Sequence, residues 1–240
     1  MNILKPLEFR LVDGYVDLAI ATGHEGNRIS TDQLGPIVEM LRSLQGYEAE
    51  GVFLRSSATD FCRGRKDYPP VVSREVAGEI VNSNVELIRA FQDLPGPKIS
   101  YISGYASGLG ATLALAADFV VMGKGSQITF PETAAGFTPL LALNSLVQRI
   151  SSLEALWFIF SGQPISALRA KEIGLVSDVL SEPVARKIFT HLLRNREFLQ
   201  VGTHFLQERA RKEGRLQFAV NSMIEELWLR NNQDNGGRAE

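Results

Sequence analysis

Ile102-Ser103-Gly104-Tyr105-Ala106-Ser107-Gly108-Leu109-Gly110-Ala111-Thr112-Leu113, running on to Asp118, decides the reading of this chain. The apolar run at 98–102 reads as a strand that breaks at glycines. Small residues then open an Ala/Leu-rich helical pattern over 111–117. A strand, a glycine turn and a helix start leave bare backbone N–H groups at a helix N-terminus. That is a natural seat for negative charge.

A second stretch lies upstream. Val52-Phe53-Leu54 reads as a buried strand, residues 56–60 as a polar turn, and Phe61-Cys62-Arg63-Gly64-Arg65 follows. With this segment and Ser103-Gly104-Tyr105-Ala106-Ser107-Gly108-Leu109-Gly110, the chain resembles the crotonase (enoyl-CoA hydratase/isomerase) superfamily. The family pattern is Phe-Cys-Ala-Gly-Ala-Asp, then Asn-Gly-Tyr-Ala-x-Gly-Gly-Gly about forty residues on. Phe130-Pro131-Glu132 with Gly136-Phe137-Thr138-Pro139 resembles its Pro-Glu-x-x-x-Gly-x-x-Pro. Ser161-Gly162-Gln163-Pro164-Ile165, Ala167, Ala170 and Gly174-Leu175-Val176 resemble its next motif. Together these span roughly residues 9–180.

The resemblance implies an α/β fold: a crotonase-like spiral of β-β-α repeats with a C-terminal helical trimerisation region. It also implies a thioester enolate held by two backbone N–H groups, here the amides of Arg65 and Leu109. Any residue but proline supplies such a donor. Glu132 is the implied acid–base group, facing the α and γ carbons of the substrate. A carboxylate in a mostly apolar cleft gains proton affinity, which suits that work. The other reading of Glu132 is a structural carboxylate capping nearby amides. The implied substrate is an acyl-CoA or a carrier-bound acyl thioester, with coenzyme A as part of the substrate and no separate cofactor. The substrate-binding positions are Cys62, Arg63, Gly64, Lys66, Gly108, Thr112 and Leu140.

Departures from the pattern narrow the reaction. Hydratases of the family carry a second glutamate where this chain has Thr112, and a threonine does not accept a proton near neutral pH as a carboxylate does. Thr112 therefore disfavours hydration, or else simply packs in a helix. Double-bond isomerisation needs one base only, so an enoyl-CoA isomerase is the leading expectation. A hydratase-like lyase, a decarboxylase and a non-catalytic thioester-binding protein stand as alternatives. Arg65 replaces the usual Ala and could clash, swing to solvent or meet a CoA phosphate. Arg63, Arg65 and Lys66 form a basic cluster suited to such phosphates. Leu109 replaces a Gly and makes positive φ costly, so a turn needing that φ would have to rearrange. Lys66 stands where the family has Asp, with Asp67 one step late. Asn27 reads as a turn residue. Leu140-Leu141-Ala142-Leu143 replaces several glycines and would narrow or fill an acyl channel.

Composition bounds the rest. With 240 residues and 45% hydrophobic content the chain can bury one sizeable core. The net charge of −2 offers no basic field for nucleic acid or an anionic membrane. One cysteine excludes an internal disulfide, and three histidines beside it form no metal-ligand cluster. No apolar run approaches a membrane span and no signal peptide opens the sequence, so a cytoplasmic location is expected.

The pattern predicts strands around a turn at Asp13-Gly14 and a helix from Ser30 or Thr31 to about Leu44, delayed by Gly35-Pro36. A strand follows at 50–54, then a loop over 66–72 and a long helix at 73–94. Strands at 98–102 and 119–122 and helices at 153–160, 167–173 and 183–193 complete the core, residues 1–195. A helical region (196–232) follows, with Leu216, Val220, Met223, Ile224, Leu227 and Trp228 on one face. That face either meets neighbouring subunits, in a homotrimer or dimer of trimers, or folds back on its own core. Residues 233–240 read as a disordered tail.

Overall fold

The computed structural model describes residues 6–68, 71, 73–134, 139–195 and 215–236. Strands β1 (Leu7–Val12) and β2 (Tyr15–Ile20) form an antiparallel hairpin, with Asp13 and Gly14 both at positive φ in the turn. Helix α1 (Thr31–Leu44) starts at Ser30, whose side chain and that of Gln33 form a reciprocal capping box. Pro36 does not delay it. The proline lies on the exposed side of the second turn, within a helix that begins at Thr31.

Strand β3 (Val52–Ser56) pairs parallel with β2 and with β4 (Lys98–Ile102). Helix α2 (Arg74–Gln92), capped by Ser73, crosses between them. Strand β6 (Phe119–Met122) and β9 (Asp178–Val179) extend the sheet, giving the order β1-β2-β3-β4-β6-β9. A second sheet of three short strands, β5 (Tyr105–Ser107), β7 (Gln127–Thr129) and β8 (Ile165–Ser166), runs in the order β5-β7-β8. Each of β4 and β6 thus hands the chain directly to a strand of the small sheet. Strand β5 was not foreseen, because three residues between two glycines carry no readable alternation.

The remaining helices are α3 (Leu109–Leu115), α4 (Leu140–Val147), α5 (Ser152–Ser161), α6 (Ala167–Glu172), α7 (Glu182–Leu193) and α8 (Arg215–Gly236). The main core lies between the large sheet, α1, α2 and α3. A smaller aromatic cluster, Tyr15, Phe53 and Phe189, packs α7 on the other side of the sheet.

Helix α8 lies on its own subunit. Val220 packs with Val81 and Val85 of α2 and Leu141 of α4, with Met223, Ile224 and Leu227 alongside. An Arg74–Glu225 ion pair crosses the same seam. Within the subunit, Val220, Met223, Ile224 and Leu227 of that face thus fold back on α2 and α4. The helix also runs to Gly236, four residues into the stretch read as a tail. The helical reading of 197–214 and the rest of the tail lie outside the described residues. Among the described residues, no helix is long and apolar enough to cross a membrane.

Candidate active site

Three segments meet at one point. The first is the loop after β3. Asn27, at φ 52 and buried, organises it: its carboxamide accepts from the Thr22 N–H and hydroxyl and donates to the Ile20 carbonyl, Ser56 Oγ and the Phe61 carbonyl. One side chain therefore ties the ends of β2 and β3 to the start of 61–65. Cys62 then pairs with Ala106 of β5, its carbonyl accepting from the Ser107 N–H.

The second segment is the turn from β5 into α3. Gly108 caps the helix at φ 50, and Leu109 is its first helical residue. The positive φ falls on Gly108, so Leu109 needs none and its side chain packs into the main core. The turn therefore stands without the rearrangement that Leu109 suggested. Gly64, at φ 82, abuts this turn: a Cβ there would lie 3.0 Å from the Ser107 carbonyl oxygen and 3.5 Å from the Leu109 nitrogen. Among the described residues, neither the Arg65 nor the Leu109 N–H donates to another group. Two free amides thus flank the same spot, one at a helix start.

The third segment carries Glu132. It follows β7 in a single 3-10 turn (Pro131–Thr133), with Pro131 opening the turn and the Thr133 hydroxyl donating to the Ile159 carbonyl of α5 at 3.0 Å. The carboxylate reaches Gly108. A Cβ on that glycine would lie 2.6 Å from Glu132 Oε1. Oε2 is buried and has no hydrogen-bond partner among the described residues. Burial pushes the Glu132 pKa up to about 7, against a smaller opposing pull from its own backbone N–H. A carboxyl that is half protonated at neutral pH can both take and return a proton.

Of the residues expected at the site, Arg65, Leu109, Glu132, Gly64 and Gly108 come together. Others are placed differently. The Arg65 side chain turns inward: Nη1 donates to Asn84 Oδ1 at 3.0 Å and Nη2 to Thr31 Oγ1 at 2.8 Å, and the guanidinium covers the Tyr68 ring at 4.8 Å. Its charge is thus removed from the expected basic cluster. Arg63 pairs with Asp60 at 2.7 Å and lies over Tyr105, which leaves Lys66 as the exposed cation of the three without such a partner among the described residues. The Cys62 thiol is fully buried in the main core, pushed up to about 12 by desolvation, so it faces protein and not a substrate pocket. The Thr112 hydroxyl donates to the Gly108 carbonyl at 3.0 Å, as threonines inside helices often do. Leu140 begins α4 half-buried, while Leu141 packs against α2 and α8. Gly136, Phe137 and Thr138 of the glutamate motif lie outside the described residues.

Two further residues shape the site: Asp67, which the sequence placed one step after the family's aspartate, and Tyr68, which carried no signal. Asp67 accepts from the Thr31 N–H and hydroxyl at 2.7 and 2.6 Å, tying the loop to the start of α1; those bonds hold its carboxyl below the usual range. Desolvation raises the Tyr68 phenol pKa, the Arg65 guanidinium on its ring pulls it back, and the Glu132 carboxylate adds a smaller rise. Among the described residues, no group of histidines, cysteines and carboxylates is placed to hold a metal ion.

Comparisons with known proteins bear on the family and the fold. The sequence profile of the family described as "Enoyl-CoA hydratase/isomerase" matches residues 24–233. The chain is 30% identical over 183 residues to the fatty acid oxidation complex subunit alpha of Pseudomonas putida, covering 74% of this chain and 25% of that protein. It is 31% identical over 114 residues to the 2,3-dehydroadipyl-CoA hydratase of Escherichia coli, 47% of this chain and 45% of that one. The chain thus spans less than half the length of these curated relatives. Among solved structures, an enoyl-CoA hydratase/isomerase from Mycobacterium paratuberculosis superposes with a TM-score of 0.81 at 18% identity, covering 96% of this chain and 97% of that one. Human enoyl coenzyme A hydratase domain-containing protein 3 superposes at 0.74 with 20% identity, covering 96% and 95%. The profile match over most of the chain and the shared mixed α/β fold lead to one conclusion: the chain belongs to the enoyl-CoA hydratase/isomerase family of the crotonase superfamily.

Proposed function

We propose that the chain acts on an acyl-CoA or carrier-bound acyl thioester and moves its double bond from the 3,4 to the 2,3 position. The thioester oxygen sits between the Arg65 and Leu109 amides. Glu132, ionised, removes a proton from the α carbon; the C–H pair becomes the bond between carbons 1 and 2 and the carbonyl π pair moves onto the thioester oxygen, giving a dienolate conjugated with the 3,4 double bond. The same carboxyl, now protonated, returns the proton to the γ carbon, and the electrons fall back to leave the 2,3 double bond. No water is added and the carboxylate is regenerated. Backbone donors aimed at such an oxyanion contribute about 3 kcal/mol each in acyl-transfer sites.

The observation that carries this reading is the contact between Glu132 and Gly108, which sets a carboxyl of pKa about 7 beside two free amides. The Thr112 hydroxyl is engaged by the Gly108 carbonyl, so it supplies no second acid–base group. Hydration is the second reading, favoured by the similarity to the E. coli hydratase. The homotrimer or dimer of trimers and the cytoplasmic location belong to the same proposal. The test is direct. Purified protein should convert a 3-enoyl-CoA to the 2-enoyl form faster than it hydrates crotonyl-CoA. Glu132→Gln should lower the rate about 10²-fold or more, the usual range for a lost general base. A hydration rate equal to or above the isomerisation rate would reverse the order of the two readings.

A further inference from the structure

The Arg65 side chain is a buried charge without a counter-charge. The residue is 7% exposed, and its guanidinium makes no ion pair among the described residues. Both of its hydrogen bonds go to neutral oxygens, Asn84 Oδ1 and Thr31 Oγ1. Its Nε is buried with no partner at all among the described residues. The carboxylate that acts on it, Asp67, is exposed and bonded to Thr31, whose hydroxyl stands between the two. An arginine stays charged at neutral pH, so most of its fork of donors is held out of water unused. Holding a bare cation in that state is costly to the fold.

We propose that Arg65 sets the specificity of the site: its guanidinium takes a carboxylate carried on the acyl chain, so the substrate is the thioester of a short dicarboxylic acid. This rests on the thioester reading given above. One residue then holds both ends of the acyl group. Its N–H faces the thioester oxygen, and its guanidinium lies one side chain away, within the span of a short chain. The geometry of the guanidinium suits that ligand. Tyr68 covers its face at 4.8 Å, and a carboxylate binds in the plane, at the edge. Nε and Nη2 form such an edge, and Nε is the donor without a partner. Asn84 of α2 and Thr31 of α1 fix the orientation of the group, as a binding residue requires.

Two observations tie this cation to the reaction. The Tyr68 phenol responds to the charges of both Arg65 and Glu132, so one ring neighbours the guanidinium and the acid–base carboxyl. Glu132 itself is moved by burial and its own backbone, with no pull from Arg65. The guanidinium therefore does not serve as the counter-ion of Glu132 and is left for a ligand. A neutral acyl end leaves Nε unpaired, which penalises that substrate; a carboxylate satisfies it.

The experiment is calorimetry on the full chain with matched probes: glutaryl-CoA against pentanoyl-CoA, and adipyl-CoA against hexanoyl-CoA. Each pair shares its CoA phosphates and carbon count, so the difference isolates the acyl end. The carboxylated member should bind about 10-fold or more tightly, as when a site loses the partner of a buried donor. Arg65→Met keeps the backbone amide and the bulk of the side chain, and should bring that ratio to about one. Arg65→Lys keeps the charge without the fork and should retain part of the preference. Equal binding of both members by the natural chain would overturn the proposal, whether or not the variants fold. A Met variant that weakens both probes and keeps their ratio would also overturn it, leaving Arg65 as a tie between α1 and α2. Kinetics on 3-hexenoyl-CoA and its ω-carboxylated counterpart should follow the same order in kcat/KM. Preferred binding of the carboxylated probes without turnover would sink the isomerase reading and leave this proposal standing. No binding of any acyl-CoA would overturn both.

Discussion

Gly108 has two jobs that no other residue type can do together. It turns the chain at φ 50 into α3, and it leaves room for the Glu132 carboxylate. Gly108→Ala brings a methyl group 2.6 Å from Oε1 and strains the backbone, so it should displace the carboxyl and cut activity by about 10², with a stability loss of about 1–2 kcal/mol from the strained φ. Steady-state kinetics beside a thermal melt separates the two effects. Glu132 also leaves a mark on stability. Its folded pKa is raised from 4.5 to about 7, so the folded chain holds a proton that the unfolded chain has released between those values. That contribution is complete below pH 4.5 and is lost as pH rises through 7. Glu132→Gln should therefore stabilise the protein at pH 8, by up to about 3 kcal/mol, and change little at pH 4. Denaturant titrations at the two pH values check it. A variant equally stable to wild type at pH 8 would show that the carboxyl is not desolvated.

At the level of elements, legibility followed length and punctuation. Helices α1, α2, α5 and α7 were readable from their caps and periodicity, and β4 and β6 from continuous apolar runs. Strands β5, β8 and β9 are two or three residues long and too short for any pattern to show. The meeting of Arg65, Leu109 and Glu132 was what the family resemblance implied. The inward turn of Arg65 was not, because it depends on Asn84 and Thr31, which lie 19 and 34 residues away along the chain. Helix α8 was ambiguous for the same reason: its apolar stripe shows that something covers it, not what. The structure supplies α2 and α4. Truncation after Gly214 should consequently uncover Val81, Val85 and Leu141 and lower the melting temperature, with increased binding of a hydrophobic dye. An unchanged melt would show that this seam adds nothing to the fold.

Across the whole molecule, the sheet and α7 are joined by charge. Asp17, with a fully buried side chain, accepts from Arg10, Arg55 and Arg186. Burial alone would raise its pKa, but the three guanidinium groups outweigh it and hold the carboxyl below its usual range. Stability from this group is present above the unfolded value of 3.8 and is lost as pH falls through the folded one. Asp17→Asn leaves three cations around a neutral amide and should cost about 3–5 kcal/mol, as expected when a buried pair loses one member. Urea denaturation at pH 7 measures it, and a loss below about 1 kcal/mol would mean the arginines find water instead.

The sealed thiol of Cys62 has a chemical consequence of its own. A 2,3-unsaturated thioester, the product under the proposed reaction, is an electrophile that alkylates thiolates by conjugate addition. Cys62 lies two residues from Gly64, beside the Leu109 amide, yet burial keeps its sulfur protonated at physiological pH and closes it off from solvent. An enzyme built this way can release such a product repeatedly without being covalently inactivated by it. It should also survive prolonged incubation with iodoacetamide.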